Sequence, residues 1–437
     1  MIRQALVFVG TCDLAGLVRG KAFIGDDLAV RLRRGIGLTH SNIMMSPFGP
    51  IYDTPFGTEG DLMLVPDQST KVEVEFDDGG AAERFYLGDI MTTDEKPWEC
   101  CPRQFLRRAV AELDRLGRGG LSILAAFEQE LVYTGVEDRP GATYALDAYR
   151  RQGMFGESYM AALRAAGLTP DTFLPEYGAR QYEVTIAPAR GLRAADEAVV
   201  QREMARAVAH RNGQRAIMAP ILEPDGVGNG THIHFSLRDG SDQPMFYDAS
   251  RPYRLTQLGA HFVAGILYHL PALAAITAPS PASYIRLRPN RWAPTWCNIG
   301  VQDRGASIRV CPIFGRDGAA QQFNVEYRVC DAAASPYLAL GALVWAGVDG
   351  IRNRRTLPAP PERNFWDMSE EERRACGVRP LPRSLPEALE QLAACEEAKE
   401  WFGDTFLDVY LRFKGAELKV VEGLTEAEIC ARYAEIY

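Results

Sequence analysis

Three short apolar segments carry acid, histidine or arginine at two-residue spacing. They are Glu128 and Glu130 in LAAFEQELVY, His232 and His234 in GTHIHFSL, and Glu326 and Arg328 in FNVEYRVCD. Successive residues of a strand point to opposite faces, so each pair shares a face. A fourth element, LPEYGARQYEV, sets Glu176 and Glu183 on either side of a Gly/Gln loop. Carboxylates are almost never fully buried without a partner, and two on one strand face repel until one is protonated. A cation resolves that conflict. Carboxylates with one imidazole suit Mg2+ or Mn2+, whereas Zn2+ would favour more His or Cys. Taken singly, each pair is also explained as a solvated strand face or a satisfied core histidine. Four such elements in order, each in an apolar strand or at its entry, point instead to a shared metal-binding face.

Strands must hold these residues, and the pattern supplies them. Leu121–Thr134, Thr231–Leu237 and Phe323–Cys330 read as strands, as do residues 3–10 and 70–76 nearer the N-terminus. Arg103–Leu116, Ala194–Asn212, Tyr337–Arg352, Leu385–Phe402 and Thr425–Tyr437 read as helices. The run DEKPWECCP breaks every periodicity between Thr92 and Pro102. We therefore expect an α+β chain, with a small β-rich domain over residues 1–97 and a large catalytic domain over 98–437.

Composition narrows the function. The chain has 437 residues, 47% of them apolar and 24% charged, which is ordinary globular composition rather than disorder. Its formal charge of −9 argues against a nucleic-acid partner. The nine cysteines form no C-x-x-C pair, and their odd number favours reduced thiols in a cytoplasmic protein. The stretch from His261 to Ile285 has no acid, Lys or Arg and is long enough to span a bilayer. Pro271, Pro279 and Pro281 interrupt it, so a buried core helix and no membrane contact are expected. P-loop, dinucleotide, zinc-protease and nucleophile-elbow motifs are absent.

The chain resembles the glutamine synthetase family. The likeness rests on DLAGLVRGK from Asp13 to Lys21, EQE at Glu128–Glu130, EYGARQYE at Glu176–Glu183 and GNGTHIHFS from Gly228 to Ser236. It continues in RLRP at Arg286–Pro289, DRGASIR from Asp303 to Arg309 and EYRVCDAAASPYL from Glu326 to Leu338. The resemblance implies a β-grasp-like N-terminal domain and a catalytic domain with a curved antiparallel sheet flanked by helices. It implies two or three Mg2+ or Mn2+ ions, with Glu130, Glu176 and Glu183 holding one and Glu128, His232 and Glu326 another. His234 and Ser236 match positions that touch ATP or its phosphates. Arg304 and Arg309 match arginines that stabilise the transferring phosphoryl group. Arg286 and Arg328 match the residues that hold the carboxylates of glutamate, and the Gly228 carbonyl a contact to its α-amino group. Arg304 and Arg328 would then be catalytic. The family's γ-glutamyl phosphate would be displaced by an amine. Its active sites are shared between adjacent subunits, so a homo-oligomer is implied, as a ring of six or two stacked rings.

The departures fall on the amine side. Ammonia-using members carry a Glu six residues after the Arg of the RLxP motif, and here that place is Trp292. A second ammonium-site acid lies in the N-terminal domain, where LTHSN aligns Thr39. Without a base, an alkylammonium of pKa ~10 is only about one part in a thousand neutral at pH 7, whereas an aromatic amine is already neutral. Trp292 could stack on an aromatic amine, hold an alkylammonium by cation–π attraction, or only pack a loop. The expected activity is ATP-dependent ligation of glutamate to a bulky or aromatic organic amine. The alternatives are an ammonia-dependent glutamine synthetase and an inactive structural homologue. Ala179-Arg180 stands where the family commonly has Pro-Gly, and Arg180 is either a substrate contact or a solvated loop charge.

Overall fold

The computed structural model describes residues 2–117, 119–139, 141–315 and 317–437. Its N-terminal part builds one sheet from β1 (Leu6–Cys12), β2 (Val18–Ile24), β3 (Ile36–Thr39), β4 (Asp61–Pro66), β5 (Val72–Val74) and β6 (Glu83–Thr92). The order is β2-β1-β6-β4-β3 with β5 also on β6. Alternation of apolar and polar residues buries one face: Leu62 and Leu64 are inside while Asp61 is exposed.

The second sheet carries the chemistry-bearing segments. It contains β7 (Leu121–Tyr133), β8 (Pro170–Pro175), β9 (Gln181–Ile186), β10 (Ala189–Arg190), β11 (Ala216–Ile217), β12 (Thr231–Asp239), β13 (Ile299–Val301), β14 (Ile308–Val310) and β15 (Val325–Tyr327). The main path runs β13-β14-β15-β12-β7-β9-β8, and β10 and β11 pair the two ends of β7. The sheet is antiparallel except at its edge, where β13 and β14 run parallel. The strand expected over Phe323–Cys330 is confined to β15, because the backbone leaves the ladder on both sides: Thr231 bonds Cys330 and Cys311 bonds Asn324 outside it.

Helices cover the far side. Pro102–Asp114 and Gln257–Thr277 both pack on Pro336–Arg352, and Leu192–Arg211 packs on β7. Gln257–Thr277 is the one helix among the described residues long and apolar enough to cross a membrane, and 78% of its most apolar window is buried inside the protein. Its Pro271 is accommodated within the helix. The single helix expected over Leu385–Phe402 is two, Leu385–Ala394 and Glu396–Phe402, divided at Cys395, whose backbone is extended. Glu396 and Glu397 suit a new helix N-terminus, where the peptide dipoles favour negative charge.

A buried ion network ties the two sheets' layers together. The Arg103 side chain, fully buried, donates Nε and Nη2 to Asp196 at 2.9 Å each, Nη1 to Asp89 at 2.8 Å and Nη2 to Asp67 at 2.9 Å. Tyr337 donates to Asp196 at 2.7 Å. Breaking such a network from one side leaves buried charge uncompensated, so Arg103→Leu is expected to cost about 3–5 kcal/mol, read as a lower denaturation midpoint. Asp67 sharpens the test. Burial alone would raise its pKa, but hydrogen bonds from Ser69 and Arg103 lower it to about 2. Its folded-state pKa lies below its ordinary 3.8. Its contribution is therefore complete above that ordinary value and is lost as pH falls towards about 2. Asp67→Asn should flatten acid destabilisation within that window.

Candidate active site

Register alone aligns the reactive groups. On β12, His232 lies opposite Glu128 of β7, and His234 opposite Glu326 of β15. Glu130 of β7 lies opposite Glu183 of β9, and Arg309 of β14 opposite Glu326. Since side chains alternate with a period of two, these residues, with Arg328 and Ser236, share one sheet face. A one-residue slip in any strand would turn its members to the other side.

The side chains converge. His232 Nδ1 lies 3.3 Å from Glu128 and from Glu326, and 3.8 Å from Glu130. His234 Nε2 lies 3.0 Å from Glu128. Glu128, Glu183 and His232 present ligand atoms all within 4.8 Å of one another. Glu326, beneath them, pairs with Arg309 at 2.8 Å and with Arg328. Glu176 stands at the end of β8, where it accepts from Tyr144 at 3.0 Å and from the Tyr177 backbone at 2.8 Å. Burial would raise the pKa of Glu128, yet His234 and His232 hold it well below the usual range. Burial and repulsion from Glu128, Glu130, Glu176 and Glu326 push Glu183 well up. Despite burial, the Glu128 charge raises His234. Crowded carboxylates with one inward imidazole are a donor set that fits hard divalent cations, which would remove the repulsion now borne by Glu183.

Two cavities meet at this face. One, of about 790 Å³, is lined by Glu128, Glu130, Glu176, Glu183 and His232, by Gly228, and by Arg286, Arg304, Arg309 and Arg328, with Trp292 and Tyr177 also in its wall. The other, of about 460 Å³, is lined by His234, Ser236, Asp171 and residues 321–324. Glu128 and Glu183 line both. The Nε donors of Arg286, Arg309 and Arg328 are buried and have no hydrogen-bond partner among the described residues. Unspent guanidinium donors beside a cavity suit carboxylate or phosphate oxygens.

The Gly228 loop is pinned from three sides. Gln181 Nε2 donates to the Gly228 carbonyl at 2.9 Å and to Asn229 Oδ1 at 2.7 Å. Gly230 N donates to Glu130 at 2.7 Å. A Cβ at Gly228 would sit 2.4 Å from Arg286 Cγ and 3.0 Å from the Pro220 carbonyl, so only glycine allows this approach. Arg286 itself is buried and donates Nη2 to the carbonyls of Val329 and Cys330, at 2.5 and 3.0 Å.

Trp292 is 65% exposed, at positive φ, and stacks on Tyr177 with ring centroids 5.8 Å apart. Arg328 Nη2 reaches its carbonyl at 3.5 Å. Thr39 lies on β3 and lines neither cavity of its own chain. Arg180 is exposed at positive φ and is not in the wall of the larger cavity. Sequence reasoning passed over Gln181, Asn229 and Tyr177, although all three stand inside the motifs that drew attention. It also passed over Asn324, which bonds His234 Nδ1 at 2.9 Å, and Tyr144, which no pattern marks.

Residues 99–433 match the glutamine synthetase catalytic domain and residues 3–98 its N-terminal domain. A γ-glutamylpolyamine synthetase of Streptomyces coelicolor is 33% identical, covering 98% of this chain and 92% of that protein. A glutamine synthetase of Pyrococcus furiosus is 32% identical, covering 94% of this chain and 89% of that protein. A crystal structure described as a novel glutamine synthase homologue superposes with a TM-score of 0.92 at 39% identity, covering 100% of this chain and 99% of its own. Family enzymes use ATP and divalent metal ions, bind glutamate with ammonia or an amine, and are typically oligomeric. The chain belongs to the glutamine synthetase family and is an ATP-dependent ligase that forms a carbon–nitrogen bond.

Proposed function

We propose that this enzyme joins the γ-carboxylate of glutamate to a bulky or aromatic organic amine, giving a γ-glutamylamide, ADP and phosphate. The observation that carries this reading is the exposed Tyr177–Trp292 stack on the wall of the cavity that holds the carboxylate face. Where ammonia-using members set a base, this chain offers an aromatic plane. Such a plane favours a ring that is already neutral at pH 7, and also accepts an organic cation.

The residues divide the work. Arg286 and Arg328 offer forked donors to the carboxylates of glutamate. The second lone pair of the Gly228 carbonyl faces the α-ammonium. His234 and Ser236 serve the nucleotide in the smaller cavity, and Arg304 and Arg309 face the γ-phosphoryl group as it crosses. Glu128, Glu130, Glu176, Glu183, His232 and Glu326 would hold two or three Mg2+ or Mn2+ ions, which when bound offset phosphate charge and polarise the transferring group. The glutamate γ-carboxylate oxygen attacks the γ-phosphorus of ATP and ADP leaves. The amine nitrogen then attacks the acyl carbon of γ-glutamyl phosphate, phosphate departs, and the nitrogen loses a proton. Transfer of this kind depends mainly on positioning and charge stabilisation, which the shared sheet face supplies.

Thr39, exposed on the N-terminal sheet, would complete the amine pocket of a neighbouring subunit rather than its own. The proposed assembly is a ring of six subunits, or two such rings stacked, in the cytoplasm. The similarity to a glutamine synthetase makes ammonia the competing substrate. Phosphate release and product mass across ammonia, alkylamines, polyamines and arylamines decide between them. The expected result is an organic amine turned over at least about tenfold better than ammonia. Ammonia as the best substrate would overturn the reading. Gly228→Ala displaces Arg286 and should raise the KM for glutamate about tenfold or more, measured in the same assay.

A further inference from the structure

A second cluster of metal-ligating side chains lies among the helices, away from the sheet. His269, on Gln257–Thr277, is buried with Nδ1 3.6 Å from Cys395 Sγ. Cys395 Sγ is in turn 3.6 Å from Glu397 Oε2, and the ligand atoms of all three lie within 4.8 Å of one another. Cys395 divides the helical segment Leu385–Phe402, and its extended backbone turns the thiol towards His269.

Two observations go beyond hydrogen bonding. Asp349 accepts from His269 Nε2 at 2.8 Å, which fixes the ring and presents Nδ1 as a lone pair to Cys395. A carboxylate behind a histidine is the usual support for a metal-binding imidazole. The thiol meanwhile faces two acceptors, Nδ1 and Oε2, with one proton to give. The two sulfur edges also fit. Tetrahedral zinc with bonds of about 2.3 Å to sulfur and about 2.1 Å to nitrogen or oxygen has sulfur–nitrogen and sulfur–oxygen edges of about 3.6 Å. Arg355 holds the other oxygen of Glu397, Oε1, at 3.0 Å, and also pairs with Asp349. With the thiolate formed, the charges of Asp349, Glu397, Cys395, Arg355 and a dication cancel.

We propose that His269 Nδ1, Cys395 Sγ and Glu397 Oε2 form a structural site for one zinc ion, fastening the Leu385–Phe402 segment to the buried helix Gln257–Thr277. A soft thiolate with an imidazole selects zinc over Mg2+ or Mn2+, so this site and the carboxylate face take different metals. On binding, the Cys395 S–H bond breaks, the sulfur electron pair goes to the metal and the proton to solvent.

Co2+ is the probe, because a thiolate bound to it gives a charge-transfer band that oxygen ligands do not. Full-length protein freed of metal with a chelator is titrated with Co2+ alone. The expected result is a band that saturates near one equivalent, is lost in Cys395→Ser and is kept in Cys311→Ser. Cys311 is the necessary control, since it lies 3.6 Å from His234. Zn2+ should also raise the melting temperature of the wild type but not of Cys395→Ser. No band in the wild type, a band unchanged in Cys395→Ser, or a band lost only in Cys311→Ser would each overturn the proposal.

Discussion

Glu128→Gln is expected to lower kcat on the order of 10³-fold while leaving the protein folded. Glu128, like Glu183, lines both cavities, and it stands within reach of His232 and His234. The amide keeps the shape and removes the charge. Two consequences follow from the surroundings. His234 loses the charge that raises its pKa, and the repulsion on Glu183 is relieved. These two effects oppose each other, so the thermal stability of the apo protein should change little even as activity collapses. A structural role for Glu128 would give the reverse, with activity falling only as far as stability does. Measuring kcat and the melting temperature on the same preparation separates the two.

Trp292→Glu is expected to change the acceptor rather than the phosphoryl chemistry. Restoring an acid at that place gives ammonium a counter-charge and a route for its proton, and removes the plane that stacks on Tyr177. The kcat/KM for the preferred organic amine should fall about 10- to 100-fold, since an aromatic contact and its buried area are both lost. The value for ammonia should rise by a similar factor, so that the preference narrows or inverts. Trp292→Ala separates the effects: it should lose the organic amine without gaining ammonia. If both variants leave the amine ratio unchanged, Trp292 only packs its loop.

The carboxylate face was legible because strand periodicity is simple. Two-residue spacing sets Glu128 with Glu130 and His232 with His234, and cross-strand register brings the pairs together. What the sequence could not show is how the arginines are shared. Glu326 is engaged by Arg309 and Arg328, and Arg286 by main-chain carbonyls, contacts that arise from chain segments brought together only by folding. Gln181 was hidden because an amide within a charged motif carries no pattern of its own. The break at Cys395 was missed because LPEALEQLAACEEAKEWF has continuous helical propensity, and only packing against His269 gives the interruption a partner. Sequence pattern makes Arg103 the start of an amphipathic helix, yet it is the fully buried centre of an ion network.

The most direct measurement is equilibrium Mn2+ binding to the metal-free protein, followed by the loss of the free-ion paramagnetic resonance signal. Mn2+ takes oxygen and imidazole ligands, so it reports the sheet face and not a thiolate site. The wild type is expected to bind about two Mn2+ ions per chain, with weaker or less binding in Glu128→Ala and Glu183→Ala. A wild type that binds no Mn2+, or variants that bind it as well as the wild type does, would contradict this expectation.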